Sequence, residues 1–122
     1  MAFAQIEQLK TTIIKSLEDI KAQDIVTIDV SEKTNIADYM IIASGTSTRH
    51  LRALVDNAAV DVKKAGFDVQ SKEGSAASDW VLIDFGDVIL HAFMPDSRKY
   101  YDLERLWMGA RPSSDDEMYN EE

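Results

Sequence analysis

The run Trp80-Val81-Leu82-Ile83-Asp84-Phe85-Gly86-Asp87-Val88-Ile89-Leu90-His91-Ala92-Phe93 constrains this chain more than any other stretch. β-branched and aromatic residues flank a glycine, the composition of two strands joined by a tight turn. With Phe85 and Gly86 as loop residues, Asp84 pairs with Asp87, Leu82 with Ile89 and Trp80 with His91. Val81, Ile83, Val88, Leu90 and Ala92 then share one wholly apolar face, which belongs in a core. The opposite face mixes Trp80, Leu82 and Ile89 with Asp84, Asp87 and His91. Apolar anchors ringed by charge are the pattern of a protein-binding patch. The pattern fits equally well a face covered by a helix or loop of the same chain. Phe at the first loop position suits a type I′ turn poorly, so a bulge can shift the pairs, but alternation within each strand survives such a shift.

A hairpin needs more sheet and a covering layer, and the chain supplies both. Phe3, Ile6, Leu9, Ile13, Leu17 and Ile20 recur every three or four residues, the stripe of an amphipathic helix over about residues 3–21. Asp24 to Val30 reads as a strand, followed by the polar loop Ser31 to Asn35. Tyr39 to Ala43 is a second strand, nearly all apolar and so buried on both faces. Thr46 or Ser47 caps the next helix, whose stripe is Leu51, Leu54, Val55, Ala58, Ala59, Val62 and Ala65, with Gly66 at its end. Phe67 to Gln70 reads as a short strand and Ser71 to Ser78 as a loop. Pro95 opens a last helix, Asp96 to Met108, bearing Tyr100, Tyr101, Leu103, Leu106 and Trp107. The predicted order is α-β-β-α-β-β-β-α. It implies an α/β single domain, a mixed five-stranded sheet with helices packed on it, and a parallel crossover from strand 39–43 to strand 67–70. The ordered domain spans residues 1–109, and residues 110–122 form an acidic disordered tail without apolar period.

At 122 residues the chain buries roughly two-thirds of its surface as one domain. It has no cysteine, which excludes disulfides, cysteine nucleophiles and zinc–thiolate sites. No apolar run approaches the ~18 residues that span a bilayer. The first residues read as a helix rather than a signal or transit peptide, so a cytoplasmic location is expected. Net charge is −9, and residues 1–110 carry 17 acids against 12 bases. Such a body repels phosphate and suits a basic protein partner, whose approach it accelerates.

Catalytic chemistry finds little support. Ser44-Gly45-Thr46-Ser47-Thr48 sits at a strand-to-helix junction where backbone N–H groups can hold an anion. No G-x-x-x-x-G-K-[ST] or G-x-G-x-x-G accompanies it, and helix capping alone accounts for these residues. In nucleotidyltransferase-like folds a comparable turn precedes a strand with two alternate carboxylates that hold magnesium. Asp68-Val69-Gln70 has glutamine in place of the second carboxylate. Asp84-Phe85-Gly86 spells the kinase metal-binding tripeptide without the remaining kinase elements. His50 and His91 lie at no metal-ligand spacing, so no metal and no cofactor is expected.

Three blocks together resemble the ribosomal silencing factor family, also called Iojap-related proteins. Asp38 to His50 is similar to D-Y-x-[VI]-I-x-[ST]-G-x-S-x-x-[HQ], and Trp80 to His91 to W-[VI]-[LV]-[LIV]-D-[YFL]-G-D-[VI]-[VI]-V-H, with Leu90 for the usual valine. Arg98, Tyr101, Leu103, Glu104, Leu106 and Trp107 match R-x-x-Y-x-L-E-x-L-W. The resemblance covers roughly residues 3–108. It implies the nucleotidyltransferase-like topology without catalytic carboxylates, and a non-enzymatic role. Family members bind the large ribosomal subunit through its fourteenth ribosomal protein, block subunit association and repress translation when nutrients are scarce. Organelle relatives act in large-subunit assembly. The expected partner-binding residues here are Trp80, Leu82 and Ile89 as anchors, with Asp84, Asp87 and His91 as polar surround. A nucleotidyltransferase-like enzyme with a site near Ser44–Thr48 is the alternative, and a homodimer through the hairpin face a third possibility.

Overall fold

The computed structural model describes residues 2–74 and 78–108. The predicted acidic tail therefore lies outside the described residues. Helix α1 (Phe3–Asp19) is followed by β1 (Gln23–Asp29), β2 (Tyr39–Ser44), α2 (Thr48–Lys64), β3 (Ser71–Glu73), β4 (Trp80–Asp84) and β5 (Val88–Phe93). Two short helices close the described chain, α3 (Pro95–Tyr101) and α4 (Leu103–Met108). The strands form one mixed sheet in the order β1-β2-β5-β4-β3. β2 and β5 run parallel at its centre, and the other neighbouring pairs are antiparallel.

Burial explains the order. Every residue of β5 and all of β2 but Tyr39 are buried, so these two strands take the middle, covered on both faces. β3 is Ser-Lys-Glu, all three residues exposed, and suits an edge. The parallel crossover from β2 therefore ends at the far edge, with β5 and β4 lying between β2 and β3. The strand itself also starts later than its apolar pattern implies. Gly66, at φ 93°, ends α2, and Phe67 and Val69 pack on the core from an irregular segment. Ladder bonding begins only where the Gln70 N–H donates to the Asp84 carbonyl at 2.8 Å.

One face of the sheet carries Ile41, Ala43, Val81, Ile83, Phe85, Val88, Leu90 and Ala92 against the stripes of α1 and α2. Ser16, buried in that helix layer, accepts a 2.7 Å hydrogen bond from Asn57 of α2. The other face holds a smaller cluster, Ile28, Val30, Met40, Ile42 and Phe93, with Trp80, Leu103 and Trp107 packed on it. The last helix is not continuous. Asp102 adopts φ 50°, ψ 47° and turns the chain, so that Tyr101 and Leu103 both reach this second face.

Candidate functional site

The 80–93 hairpin has its predicted faces but a different register. Trp80 pairs with Phe93, Leu82 with His91 and Asp84 with Ile89. The Phe85 N–H donates to the Val88 carbonyl at 2.9 Å, leaving Gly86 and Asp87 as the loop. Phe85, just past the end of β4, stays on the core because its ring completes the core face beyond Val81 and Ile83. Gly86 takes the left-handed conformation at φ 94°, and Asp84 Oδ1 accepts its N–H at 2.7 Å. Partners move by two residues, so no side chain changes face. Asp87 lies at the end of the predicted patch rather than on a strand. It sits in the turn, where its carbonyl accepts from the N–H groups of Asp38 and Tyr39 at 2.8 and 3.1 Å.

The mixed face is half covered by the chain itself. Trp80 stacks on Phe93 with centroids 4.9 Å apart, and Tyr101 of α3 lies 4.7 Å from the Trp80 ring. Trp80 Nε1–H donates to His91 Nδ1 at 2.9 Å. An indole nitrogen only donates, so Nδ1 is the unprotonated ring nitrogen and the imidazole is neutral. Burial holds the His91 pKa down at about 4. His91 and Ile89 are only 5% and 8% exposed, so they form the floor rather than the rim.

Beyond the aromatic cluster the described residues leave the face open. A groove of about 310 Å³ runs between the loop before β2 (Val30, Thr34, Ile36, Ala37) and α4 (Leu103, Leu106, Trp107), floored by Met40, Trp80, Leu82, Ile89 and His91. Four of the six predicted partner-binding residues thus line one recess, and Asp84 continues the same face of β4. Trp80 and Leu82 also border a second hollow toward the sheet edge, with Glu73 and Gly74. Ile36 and Leu106, 71% and 66% exposed, flank the groove mouth. The sequence held a signal for Leu106, an apolar position of the helical stripe. It held none for Ile36, a lone aliphatic residue beside a polar loop.

At the Ser44–Thr48 turn two backbone donors are used internally. The Gly45 N–H donates to the Phe93 carbonyl at 3.0 Å, and the Thr46 N–H to His50 Nδ1 at 2.9 Å. Ser47 Oγ accepts the His50 N–H at 3.0 Å, the predicted cap. His50 is not a free surface residue, because its Nε2–H also donates to the Ile20 carbonyl at 2.7 Å. The adjoining crevice is lined by Asp24, Asp102 and Glu104 beside Arg98 and Lys99, and Arg98 is already paired with Glu104. Asp68 and Gln70 lie ahead of β3 rather than along it. Among the described residues no group of three or more His, Cys, Asp or Glu is placed to hold a metal ion.

Among the described residues, the α/β domain thus combines a capped strand-to-helix turn with an open apolar groove. Comparison with known proteins gives the family. The sequence model described as "Ribosomal silencing factor during starvation" matches residues 4–122, running past Trp107, where the motif blocks end. The chain is 42% identical to ribosomal silencing factor RsfS of Chromobacterium violaceum, over 89% of both chains. A crystal structure from the same organism superposes with a TM-score of 0.81 at 43% identity, covering 88% of this chain and 90% of that one. Mouse mitochondrial assembly of ribosomal large subunit protein 1 is 40% identical over 78% of this chain and 43% of its own. This chain belongs to the ribosomal silencing factor family. Among its described residues no helix is long and apolar enough to cross a membrane.

Proposed function

We propose that this protein is a non-enzymatic, cytoplasmic repressor of translation that binds the large ribosomal subunit. By covering the face where the small subunit docks, it keeps the subunits apart under nutrient limitation. Its contact is a basic ribosomal protein, the fourteenth of the large subunit, and the docking residues are Trp80, Leu82, Asp84, Asp87, Ile89 and His91. The observation that carries the reading is the open apolar groove floored by four of these residues. Soluble monomers seldom leave such a surface uncovered without a partner for it. A net charge of −9 supports a basic partner and fast approach to it. The silencing-factor relatives support the ribosome as target, and the name of the mouse relative supports the large subunit in particular.

The test is sedimentation of purified protein with separated subunits and with intact ribosomes. Co-migration with large subunits alone, and a fall in joined ribosomes on adding excess protein, are the expected results. Equal binding to small subunits, or no effect on joining, refutes the reading.

A further inference from the structure

The groove has two walls, and the second is not part of the hairpin. α4 stands across the open face as a six-residue helix, too short to hold its shape or place without tertiary support. Its support comes from charged side chains at both ends. Arg98, on α3, reaches over the Asp102 break to Glu104 with a forked pair of bonds, Nε to Oε1 at 2.7 Å and Nη2 to Oε2 at 3.2 Å. The third guanidinium nitrogen, Nη1, donates to the buried Ser44 hydroxyl at 2.8 Å, at the end of central strand β2. The Arg98 side chain is only 11% exposed. At the opposite end Lys33 donates to the Trp107 carbonyl, tying α4 to the loop that makes the first wall. Held this way, α4 buries Leu103 and Trp107 against the second core cluster and leaves Leu106 projecting at the mouth.

We infer that α4 is half of the docking surface, that Leu106 and Ile36 contact the partner from opposite rims, and that Arg98 is the positioning residue that sets the groove's width. The inference rests on the docking function proposed above. Three features favour it over a purely structural role for α4. The fork joins groups six residues apart, which a straight helix does not bring together, so it specifies the bend itself. A planar fork fixes orientation as well as distance, which a lysine in its place does not. Leu106 and Ile36 are large aliphatic side chains left exposed on facing walls, where a partner's apolar side chain entering the groove would be held from both sides.

Leu106→Asp tests contact, and Arg98→Ala with Glu104→Ala tests positioning. Glu104→Ala removes the clamp from its more exposed end and leaves Arg98 bonded to Ser44, so the core end survives. The chain has two tryptophans, so in a Trp80→Phe background Trp107 emission reports α4 alone. Expected are a red shift of that emission in both clamp variants and none in Leu106→Asp. In the otherwise wild-type chain, affinity for large subunits should fall about tenfold in each of the three. Clamp variants that keep wild-type emission, or Leu106→Asp protein that binds as wild type does, overturn the inference. A wild-type chain that fails to bind large subunits overturns the docking function instead, while the emission readout still decides whether Arg98 holds α4.

Discussion

Trp80 and His91 sit diagonally across neighbouring strands and share a single proton, donated by indole Nε1 to imidazole Nδ1 at 2.9 Å. Protonating His91 places a second proton on that nitrogen, ends the bond and puts a cation beneath Trp80 in a nearly closed site. Burial already holds the His91 pKa down from 6.5 to about 4. A histidine depressed in the folded state binds fewer protons there than in the unfolded chain. Its stabilising effect is complete above pH 6.5 and is lost as pH falls from there toward 4. The loss amounts to about 3 kcal/mol. Denaturant melts from pH 7 to 4 should show it, and His91→Gln should flatten the curve between 6.5 and 5, above most carboxylate titration. Parallel curves for the two proteins refute the assignment.

Trp80→Phe keeps a ring over Phe93 but removes the donor. His91 Nδ1 is then a buried acceptor without a partner, at a cost of about 1–2 kcal/mol. Trp80→Ala removes the stacking as well and, on the docking reading, lowers large-subunit affinity by about 2 kcal/mol or more. Circular dichroism melts and subunit pull-downs separate the two losses. If Trp80→Ala unfolds the domain, Trp80 is a core residue and not an anchor.

Leu90→Asp places a carboxylate on the face that packs against α1 and α2, where Leu90 is fully buried. Its described surroundings are an apolar cluster that offers the carboxylate no partner, and the cost exceeds about 4 kcal/mol, enough to abolish cooperative folding. A soluble Leu90→Asp protein with a cooperative melt would invert the assignment of faces.

Much of this was legible in the residues. Alternation in 80–84 and 88–93 gives the right faces, because a register slip of two preserves them. Continuous apolar character in Tyr39 to Ser44 marks a central strand. What escaped depends on contacts between distant segments. Phe85 is a turn residue by local pattern and a core residue only because α2 and the neighbouring strands leave room for its ring. Phe67 and Val69 alternate like a strand, yet they alternate because a loop lies on the core. The break at Asp102 has no glycine or proline to announce it. It is fixed by Arg98 gripping Glu104 and Ser44, a constraint that helical periodicity does not see. The groove followed the same rule, its hairpin floor and the apolar residues of α4 visible in the sequence, and the Ile36 wall and the bend that sets α4 opposite it not.

Asp84→Lys with Asp87→Lys should slow association with the large subunit several-fold at low salt, and far less at high salt. Asp84→Asn with Asp87→Asn retains an acceptor for the Gly86 N–H and removes only charge, so its effect should be smaller. Stopped-flow association across a salt series measures both. Salt-independent wild-type kinetics, or equal effects of Asn and Lys, would leave recognition to shape and apolar contact.

Gly45→Ala distinguishes a packed turn from an anion-binding one. A methyl at Gly45 would meet Leu51 Cδ2 at 2.7 Å and His50 Nδ1 at 3.3 Å. Leu51 is fully buried in the α2 stripe and has little room to yield, so the helix start must shift. That displacement also strains the His50 bonds to Thr46 and Ile20, which join the turn to the end of α1. The expected loss is about 1–3 kcal/mol of stability. Large-subunit binding by the protein that remains folded should be unchanged, because the turn lies outside the groove lining. On the nucleotidyltransferase-like alternative the same substitution would instead weaken nucleotide binding, which calorimetry with nucleotide and magnesium detects. Heat on nucleotide addition to the wild type, absent from Gly45→Ala at equal folded fraction, would restore that alternative and remove Gly45 from a purely packing role.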